Sequence, residues 1–214
     1  MKNVIIIGTG GSSKVIYNSI KTYKKLNILG FLDDDKSLHG TKFMDKSVLG
    51  AIDDLDKFNR NTMVINGVGA TKDVIARKKI FNKIKELGFS LYTFISKHSV
   101  IADDVEISLG CVVMPGTIIN SGTILEENVF LNTGVIVEHD CYIGESTFLA
   151  TGCVLSGNVK IKSGTFLGSN STVIGNVVIG SGSTIGAGSV VIRDVEDNTL
   201  VYGNPSHKNI GSLL

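Results

Sequence analysis

Aliphatic residues recur at every sixth position over the C-terminal half of the chain. The series runs without a break from Ile101 to Val191 and has sixteen members. Three residues after each member stands Gly, Asn, Asp or Ser, which are residue types that tolerate a left-handed backbone or bond their own backbone in turns. One residue further comes Val, Cys, Thr or Ser. Each hexad therefore predicts a short strand and a turn, with its aliphatic side chain inside a narrow prism.

Such a period is typical of a parallel β-helix. The hexads resemble those of the hexapeptide-repeat acyltransferases, which implies a left-handed prism with three hexads in each coil. Cys111, Cys141 and Cys153 all occupy the small position after a turn. We therefore expect buried thiols that act as small apolar residues. An odd number of cysteines in no metal spacing also fits a reducing compartment.

The first part of the chain alternates short apolar runs with helical patterns. Strands are predicted at Asn3–Ile7, Ile28–Leu32, Met63–Asn66 and Phe89–Phe94, and helices from Lys14 to about Lys25 and from about Asp73 to Leu87. This order predicts a small parallel sheet of Rossmann type. We expect two domains, an α/β domain over residues 1–95 and the β-helix over residues 96–214.

A glycine-rich turn follows the first predicted strand. Gly8, Gly10, Gly11 and Ser12 precede a predicted helix, where backbone N–H groups can bind a phosphate. Ser13 stands where the dinucleotide fingerprint has its third glycine, so the turn indicates a phosphate or nucleotide more than NAD in particular. A tight turn with no ligand is the alternative.

An acidic run follows the second predicted strand. Asp33, Asp34 and Asp35 stand where folds of this kind hold a ribose. An ordinary polar loop is the alternative. We take the run together with the glycine-rich turn as a candidate nucleotide-sugar site.

Charge separates the two halves of the chain, whose net charge is +1. Residues 1–97 carry 17 Lys/Arg against 9 Asp/Glu, and residues 98–214 carry 4 against 11. The basic half favours anions such as phosphate esters, although solvated helix lysines would give the same count. The near-zero total points to no nucleic-acid partner. With no signal peptide and no apolar run of about 18 residues, we expect a cytoplasmic protein without a membrane span.

His139 lies within the hexads between two carboxylates, Glu138 and Asp140. A carboxylate bonded to one ring nitrogen fixes the tautomer and stabilises the imidazolium form. The pattern therefore predicts a general base with acidic partners. No other histidine falls between residues 101 and 191, so the three-histidine zinc site of a γ-type carbonic anhydrase is excluded and no metal is expected.

The whole chain resembles the bacterial sugar acetyltransferases of the sialic-acid O-acetyltransferase and UDP-4-amino-sugar N-acetyltransferase type. The residues that carry the resemblance are Gly8-Thr9-Gly10-Gly11, Lys14-Val15, Gly30-Phe31-Leu32-Asp33-Asp34, Asn132-Thr133, Glu138-His139-Asp140 and Gly203-Asn204-Pro205. The resemblance implies a nucleotide-sugar in the N-terminal domain and a homotrimer with acetyl-CoA between neighbouring prisms. It also implies that His139 is the general base, oriented by the acidic residue after it, and that Asn132, Gly203 and Lys208 lie near acetyl-CoA.

Gly157 and Gly175 follow His139 at intervals of three hexads and predict an open groove along the prism. Coils stack at about 4.8 Å. The pantetheine arm would run over the two glycines, the Gly157 N–H would stabilise the oxyanion, and Arg193 would meet the CoA phosphates. Glycines that merely suit the turns are the alternative.

These patterns predict an acetyl-CoA-dependent N-acetyltransferase of a UDP- or GDP-linked amino sugar, used in surface glycan or lipopolysaccharide synthesis. A sugar O-acetyltransferase acting on sialic acid, or a prism that only scaffolds or binds nucleotide, are the alternatives. Two departures from the family concern specificity, because relatives often carry histidine at the positions of Ser12 and Phe148. The acyl group and the sugar are therefore left open.

Overall fold

The computed structural model describes residues 1–21, 23–71 and 74–208, without the side chains of residues 207 and 208. It divides into two compact units, one of residues 1–69 and 79–94 and one of residues 70–78 and 95–214. We keep the predicted domain boundary between residues 95 and 96 as a proposal. No helix in the described part of the chain is both long and apolar enough to cross a membrane.

The N-terminal unit is built on a three-stranded parallel sheet, in which Leu26–Leu32, Lys2–Ile7 and Met63–Asn66 lie side by side in that order. Its elements are β1 (Lys2–Ile7), α1 (Gly11–Ile20), β2 (Leu26–Leu32), β3 (Lys42–Phe43), β4 (Lys46–Ser47), β5 (Met63–Asn66) and α2 (Ile75–Glu86), with 3-10 helices at Lys36–Leu38 and Ile52–Lys57. The strands are short apolar runs that are largely buried, as expected of a parallel sheet. Ile5, Ile7, Leu32, Val64 and Phe81 belong to its core.

The predicted parallel α/β arrangement is confirmed, with differences in detail. Helix α1 ends at Ile20 rather than near Lys25, and the predicted start of α2 at Asp73 lies outside the described residues. The prediction of a fourth strand over Phe89–Phe94 is wrong. Before Phe94, residues 89–93 make only one parallel bridge to β5, between Leu91 and Val64. Val64 is the one residue of β5 that exchanges backbone hydrogen bonds with these residues.

The second unit is a parallel β-solenoid of about six turns. Each hexad contributes one short strand, and each strand pairs with the strand three hexads later, as Ile118 does with Ile136 and Phe130 with Phe148. The predicted coil of three hexads is therefore confirmed, whereas its left-handed sense stays a prediction from the resemblance. The strands are β6 (Phe94–Ile95), β7 (Val100–Ile101), β8 (Glu106–Ile107), β9 (Val112–Val113), β10 (Ile118–Ile119), β11 (Ile124–Leu125), β12 (Phe130–Leu131), β13 (Ile136–Val137), β14 (Tyr142–Ile143), β15 (Phe148–Leu149), β16 (Val154–Leu155), β17 (Lys160–Ile161), β18 (Phe166–Leu167), β19 (Thr172–Val173), β20 (Val178–Ile179), β21 (Thr184–Ile185), β22 (Val190–Val191), β23 (Leu200–Tyr202) and β24 (His207–Lys208).

The solenoid has three faces, each a sheet. The first face has the order β22-β19-β16-β13-β10-β7, the second β20-β17-β14-β11-β8, and the third β24-β23-β21-β18-β15-β12-β9-β6. The aliphatic residue of each hexad points inward, and from Val113 to Val191 all are fully or almost fully buried. The residue before it points outward, since successive strand side chains alternate.

The turns behave as the hexad pattern predicts. Fourteen of the sixteen predicted turn residues have positive φ, the exceptions being the first, Asp104, and the last, Asp194. Six of the fourteen are not glycine, and Asp140 with φ of 57° is one of them. The cysteines are buried and unbonded to one another, and burial raises the pKa of the Cys111 thiol to about 12. They are structural residues, as expected.

Candidate active site

His139 lies at the corner where the first face of the solenoid turns into the second, directly after β13. This corner is fixed by backbone hydrogen bonds to both neighbouring coils. The N–H of Asp140 donates to the carbonyl of Ser121 one coil earlier, and the N–H of Asn158 donates to the carbonyl of His139 one coil later. Asp140 itself has a left-handed backbone, with φ of 57°.

The imidazole of His139 is hydrogen-bonded to the next residue of the chain. Its Nδ1 lies 2.8 Å from Oδ2 of Asp140, and the two side chains are 61% and 67% exposed. A neutral ring that donates through Nδ1 carries its lone pair on Nε2. The pair can therefore accept a proton at Nε2, which is what a general base requires.

Glu138, the other predicted acidic partner, makes a different contact. Its Oε2 accepts a hydrogen bond of 2.9 Å from the side-chain amide of Asn120, which stands one coil earlier on the same corner. Its carboxylate is thus tied to the preceding coil. The sequence reasoning did not single out Asn120, although the three-hexad period of the coil would have found it.

Gly157 lies one coil beyond His139, and its surroundings differ from the predicted open groove. A Cβ built on Gly157 would lie 2.6 Å from both Cε1 and Nε2 of His139. The space left by the missing side chain is therefore filled by the imidazole ring. A Cβ on Gly175, one coil further, would meet the carbonyl oxygen of Gly157 at 3.1 Å and Ser156 Cβ at 3.9 Å.

Exposed apolar side chains stand beside Gly175 and Arg193 in the chain. Ile174 and Ile192 are 40% and 39% exposed, and they precede Gly175 and Arg193 in the chain. Arg193 is exposed and borders a small cavity of about 230 Å³ near the end of the solenoid. An apolar strip that ends at a cation suits an elongated ligand with an anionic end.

A larger cavity of about 450 Å³ lies against the third face of the solenoid. The predicted residue Asn132 is in its lining, at the corner between the third and first faces. The rest of the lining is mostly small or aromatic, namely Ala70, Thr71, Phe148, Ala150, Phe166, Gly168, Ser169, Thr184, Ile185, Gly186 and Ala187. Strand β13 of the first face separates this corner from His139, so one chain does not bring the cavity and the histidine together at a single corner.

An aromatic stack forms one wall of this cavity. The ring of Phe148 lies between those of Phe130 and Phe166, with centroid distances of 4.7 and 5.7 Å. The guanidinium of Arg77 covers the Phe130 ring at 4.8 Å, and burial lowers the pKa of Arg77 to about 9. The sequence reasoning missed Arg77, because nothing local distinguishes it from the exposed helix lysines.

The glycine-rich turn of the N-terminal unit leaves the start of α1 open. Gly10 caps the helix with extended backbone, and a Cβ on Gly10 or Gly11 would meet nothing within 4 Å. Gly8, with φ of 87°, turns the chain out of β1. The first N–H groups of the helix, those of Gly11 and Ser12 included, can therefore be approached closely by an anion.

A second glycine loop, which follows β5, packs against this turn. A Cβ on Gly67 would collide with Ser13 Oγ, and one on Gly69 would lie 2.8 Å from Ser12 Oγ. The hydroxyl of Ser13 donates to the carbonyl of Gly67 at 3.2 Å. Two glycine loops thus meet at the carboxyl edge of the sheet, and their position after neighbouring strands was the available signal.

The acidic run lies at the same edge, but its carboxylates are used within the protein. Oδ2 of Asp33 accepts hydrogen bonds from the N–H and the hydroxyl of Thr9, at 2.8 and 2.7 Å. Asp34 accepts from the N–H of Ile52, and Asp35 accepts from the N–H and the hydroxyl of Ser37. The Ser37 contacts lower the pKa of Asp35. The run therefore fixes the loop beside the glycine-rich turn, and ribose binding stays a proposal.

The last two predicted ligand contacts lie near the C-terminus. Gly203 has φ of 105°, and its N–H donates to Ser189 Oγ at 3.1 Å. Lys208 is in β24, and its side chain is outside the described part. Within the described residues, no group of three or more His, Cys, Asp or Glu side chains could hold a metal ion.

Comparison with known proteins matches both parts of the chain. Residues 3–84 match the PglD N-terminal domain, and residues 158–193 match the bacterial transferase hexapeptide model of six repeats. A GDP-perosamine N-acetyltransferase from Caulobacter crescentus, in complex with CoA and GDP-perosamine, is 30% identical with a TM-score of 0.89, over 97% of this chain and 96% of that one. The acetyltransferase domain of PglB from Neisseria gonorrhoeae, in complex with acetyl coenzyme A, is 27% identical with a TM-score of 0.87, over 97% and 99%.

The solenoid, the corner histidine and these matches define an acyltransferase of the hexapeptide-repeat class. The chain belongs to the family of bacterial sugar N-acetyltransferases that join a PglD N-terminal domain to hexapeptide repeats. The predicted family is thereby confirmed, and so is the prediction of an acyltransferase.

Proposed function

We propose that the protein transfers an acetyl group from acetyl-CoA to the amino group of a nucleotide-linked amino-deoxysugar. The observation that carries the proposal is the pair of His139 and Asp140, 2.8 Å apart, on the outer corner of a hexapeptide solenoid. Two solved relatives support the substrates, since one binds CoA with GDP-perosamine and another binds acetyl coenzyme A. Use in surface glycan synthesis in the cytoplasm is part of this proposal.

The N-terminal unit binds the nucleotide. The open start of α1 at Gly10, Gly11 and Ser12 receives a phosphate, since unpaired helix N–H groups and the helix dipole favour an anion. The acidic loop beside it receives the ribose. Asp33 fixes that loop through Thr9, so its role is to hold the two binding loops together.

The donor lies in the cavity of about 450 Å³ beside Asn132, whose small and aromatic lining suits the pantetheine arm. Gly175 and Arg193 line a second stretch along the His139 corner, with Arg193 as the phosphate contact. Gly203 and Lys208 complete the donor site towards the C-terminus. The cavity and His139 lie at different corners, so a donor that reaches both has to bridge two chains.

A homotrimer meets this requirement. The outward side chains of the first face are apolar except for Thr172, and most are half-buried, as Ile118, Ile136, Val154 and Val190 illustrate. This face lies between the His139 corner and the Asn132 corner. A closed ring of prisms packed around the first face brings the His139 corner of one chain next to the cavity of its neighbour.

The chemistry is direct transfer. Nε2 of His139 accepts a proton from the sugar amine as the amine nitrogen attacks the thioester carbon. The C–S bond breaks, and the proton passes to the departing thiolate of CoA. Asp140 holds the ring through Nδ1 and stabilises the imidazolium that forms between these events. Glu138, whose carboxylate is held by Asn120 one coil earlier, is the second acidic residue of the site.

The test is an acetyl-transfer assay with GDP- and UDP-linked 4-amino sugars, with the products identified by mass spectrometry. His139→Ala is expected to lower kcat by about 10² to 10⁴. Its Tm should change little, because the ring is 61% exposed. Wild-type turnover in this variant would refute the base assignment. Transfer only to a sugar hydroxyl would replace the proposed N-acetylation by O-acetylation.

A further inference from the structure

We infer that Gly157 is a positioning residue. Because it has no side chain, it leaves the space that the His139 imidazole occupies, and we call this space the seat of the ring. The inference rests on the proposed role of His139. It starts from the third position of each hexad, counted from the inward aliphatic residue. Gly157 occupies this position one coil beyond His139.

The fold does not require glycine at this position. Of the sixteen hexads, fourteen carry a side chain there, and these include Leu109, Pro115, Glu127 and Ala187. Pro115 shows that this hexad position can have an ordinary backbone, because the proline ring holds φ near −65°, a value that every L-residue can adopt. Gly157 itself does not have the positive φ that would favour glycine. The backbone conformation at this site therefore does not call for glycine.

A side chain at Gly157 would meet the imidazole of His139 first. The three atoms nearest to a built Cβ all belong to His139, namely Cε1 and Nε2 at 2.6 Å and Cδ2 at 3.3 Å. Ordinary contacts of a Cβ lie between 3.4 and 4 Å. The ring would have to move by about the difference, or roughly 1 Å, to admit a single methyl group.

Such a movement affects the two functional contacts of the ring. Nδ1 is bonded to Asp140 Oδ2 at 2.8 Å, and a hydrogen bond weakens steeply with misalignment. Nε2, the atom proposed to take the proton, is one of the two atoms that the methyl group would displace. A shift of about 1 Å in a catalytic group costs up to about 100-fold in rate. Gly157 thus sets where the base stands.

The alternative role of Gly157, a bare floor for the donor, makes a different prediction. If Gly157 is a floor for the donor, replacing it should lower the rate whether or not His139 is present. If Gly157 is the seat of the ring, replacing it should lower the rate only when His139 is present. A double-mutant cycle between Gly157→Ala and His139→Ala therefore separates the two roles.

The experiment measures kcat, both KM values and Tm for the wild type, Gly157→Ala, His139→Ala and the double variant. In the wild type, Gly157→Ala should lower kcat by about 10- to 100-fold with both KM values within twofold. In the His139→Ala background it should leave the residual kcat unchanged. There it should also raise Tm by about 1 to 4 °C, because alanine restricts the unfolded chain once no ring opposes it.

Three results would overturn the inference. One is wild-type kcat in Gly157→Ala. Another is a loss of rate that is as large in the His139→Ala background as in the wild type. The third is failure of the double variant to fold, which would make Gly157 a requirement of the solenoid. If Gly157→Ala alone fails to fold while the double variant folds, the clash with the ring is supported. Wild-type kcat in His139→Ala would instead refute the proposed function. The Tm values of the four proteins would still show whether a methyl group at Gly157 clashes with the His139 ring.

Discussion

Asp140→Asn separates the orientation of His139 from the stability of the solenoid. Asparagine suits the backbone of this turn, because Asn158 and Asn176 stand at the same corner in the next two coils with φ of 58° and 64°, against 57° at Asp140. The substitution therefore introduces no strain. It replaces a carboxylate oxygen that faces Nδ1 of His139 at 2.8 Å by an amide that can turn its NH₂ group towards the ring.

The two expected effects differ widely in size. Both side chains of the pair are more than half exposed, so the loss of the ion pair should lower the free energy of unfolding by less than about 1 kcal/mol. The rate should suffer far more. An amide that donates to Nδ1 favours the tautomer with the proton on Nε2, which removes the base. A general base contributes about 10² to 10⁴ in rate, equivalent to about 2.7 to 5.4 kcal/mol of activation free energy.

The assay compares kcat and Tm of the wild type, Asp140→Asn and Asp104→Asn. Asp104 stands at the same corner two coils earlier and accepts hydrogen bonds from Ser121 Oγ and the N–H of Gly122, with no histidine bonded to it. The control should keep wild-type kcat. An Asp140→Asn protein with unchanged Tm and wild-type kcat would refute the reasoning, and so would equal losses of rate in the two variants.

Two further predictions concern stability. Phe148→Ala should lower the free energy of unfolding by about 3 kcal/mol in chemical denaturation, since the ring is 2% exposed and stacked between Phe130 and Phe166, while Phe148→Leu should cost less than half as much; equal costs would argue against the stack. Burial and a hydrogen bond from its hydroxyl to Asp45 raise the pKa of Tyr17 from 10.0 to about 12. The folded state therefore holds a proton that the unfolded state loses, so this stabilisation is full below pH 10 and is lost as pH rises towards 12. Tyr17→Phe should flatten the fall in unfolding free energy over that window, and an unchanged slope would contradict the assignment.

The sequence by itself determined the solenoid. Each strand pairs with the strand three hexads later, and each turn is set by a residue that accepts a left-handed backbone, as Asp140 does. Both features repeat along the chain, so the pattern of single residues is sufficient to predict the coil, the corner and the place of His139 on it. The glycine-rich turn after β1 could be predicted in the same way, because it depends only on residues that are neighbours in the chain.

Only the tertiary structure decided which neighbours those residues have. Arg77 belongs to a helix whose lysines are mostly exposed, yet it is fully buried over Phe130, which is distant along the chain. Segment 89–94 looks like a strand, but it pairs with β5 at one residue, Leu91. Gly157 looked like open space and is filled by a ring from the preceding coil. Side-chain packing across coils and elements depends on three-dimensional distance, which hydrophobic period and residue type do not contain.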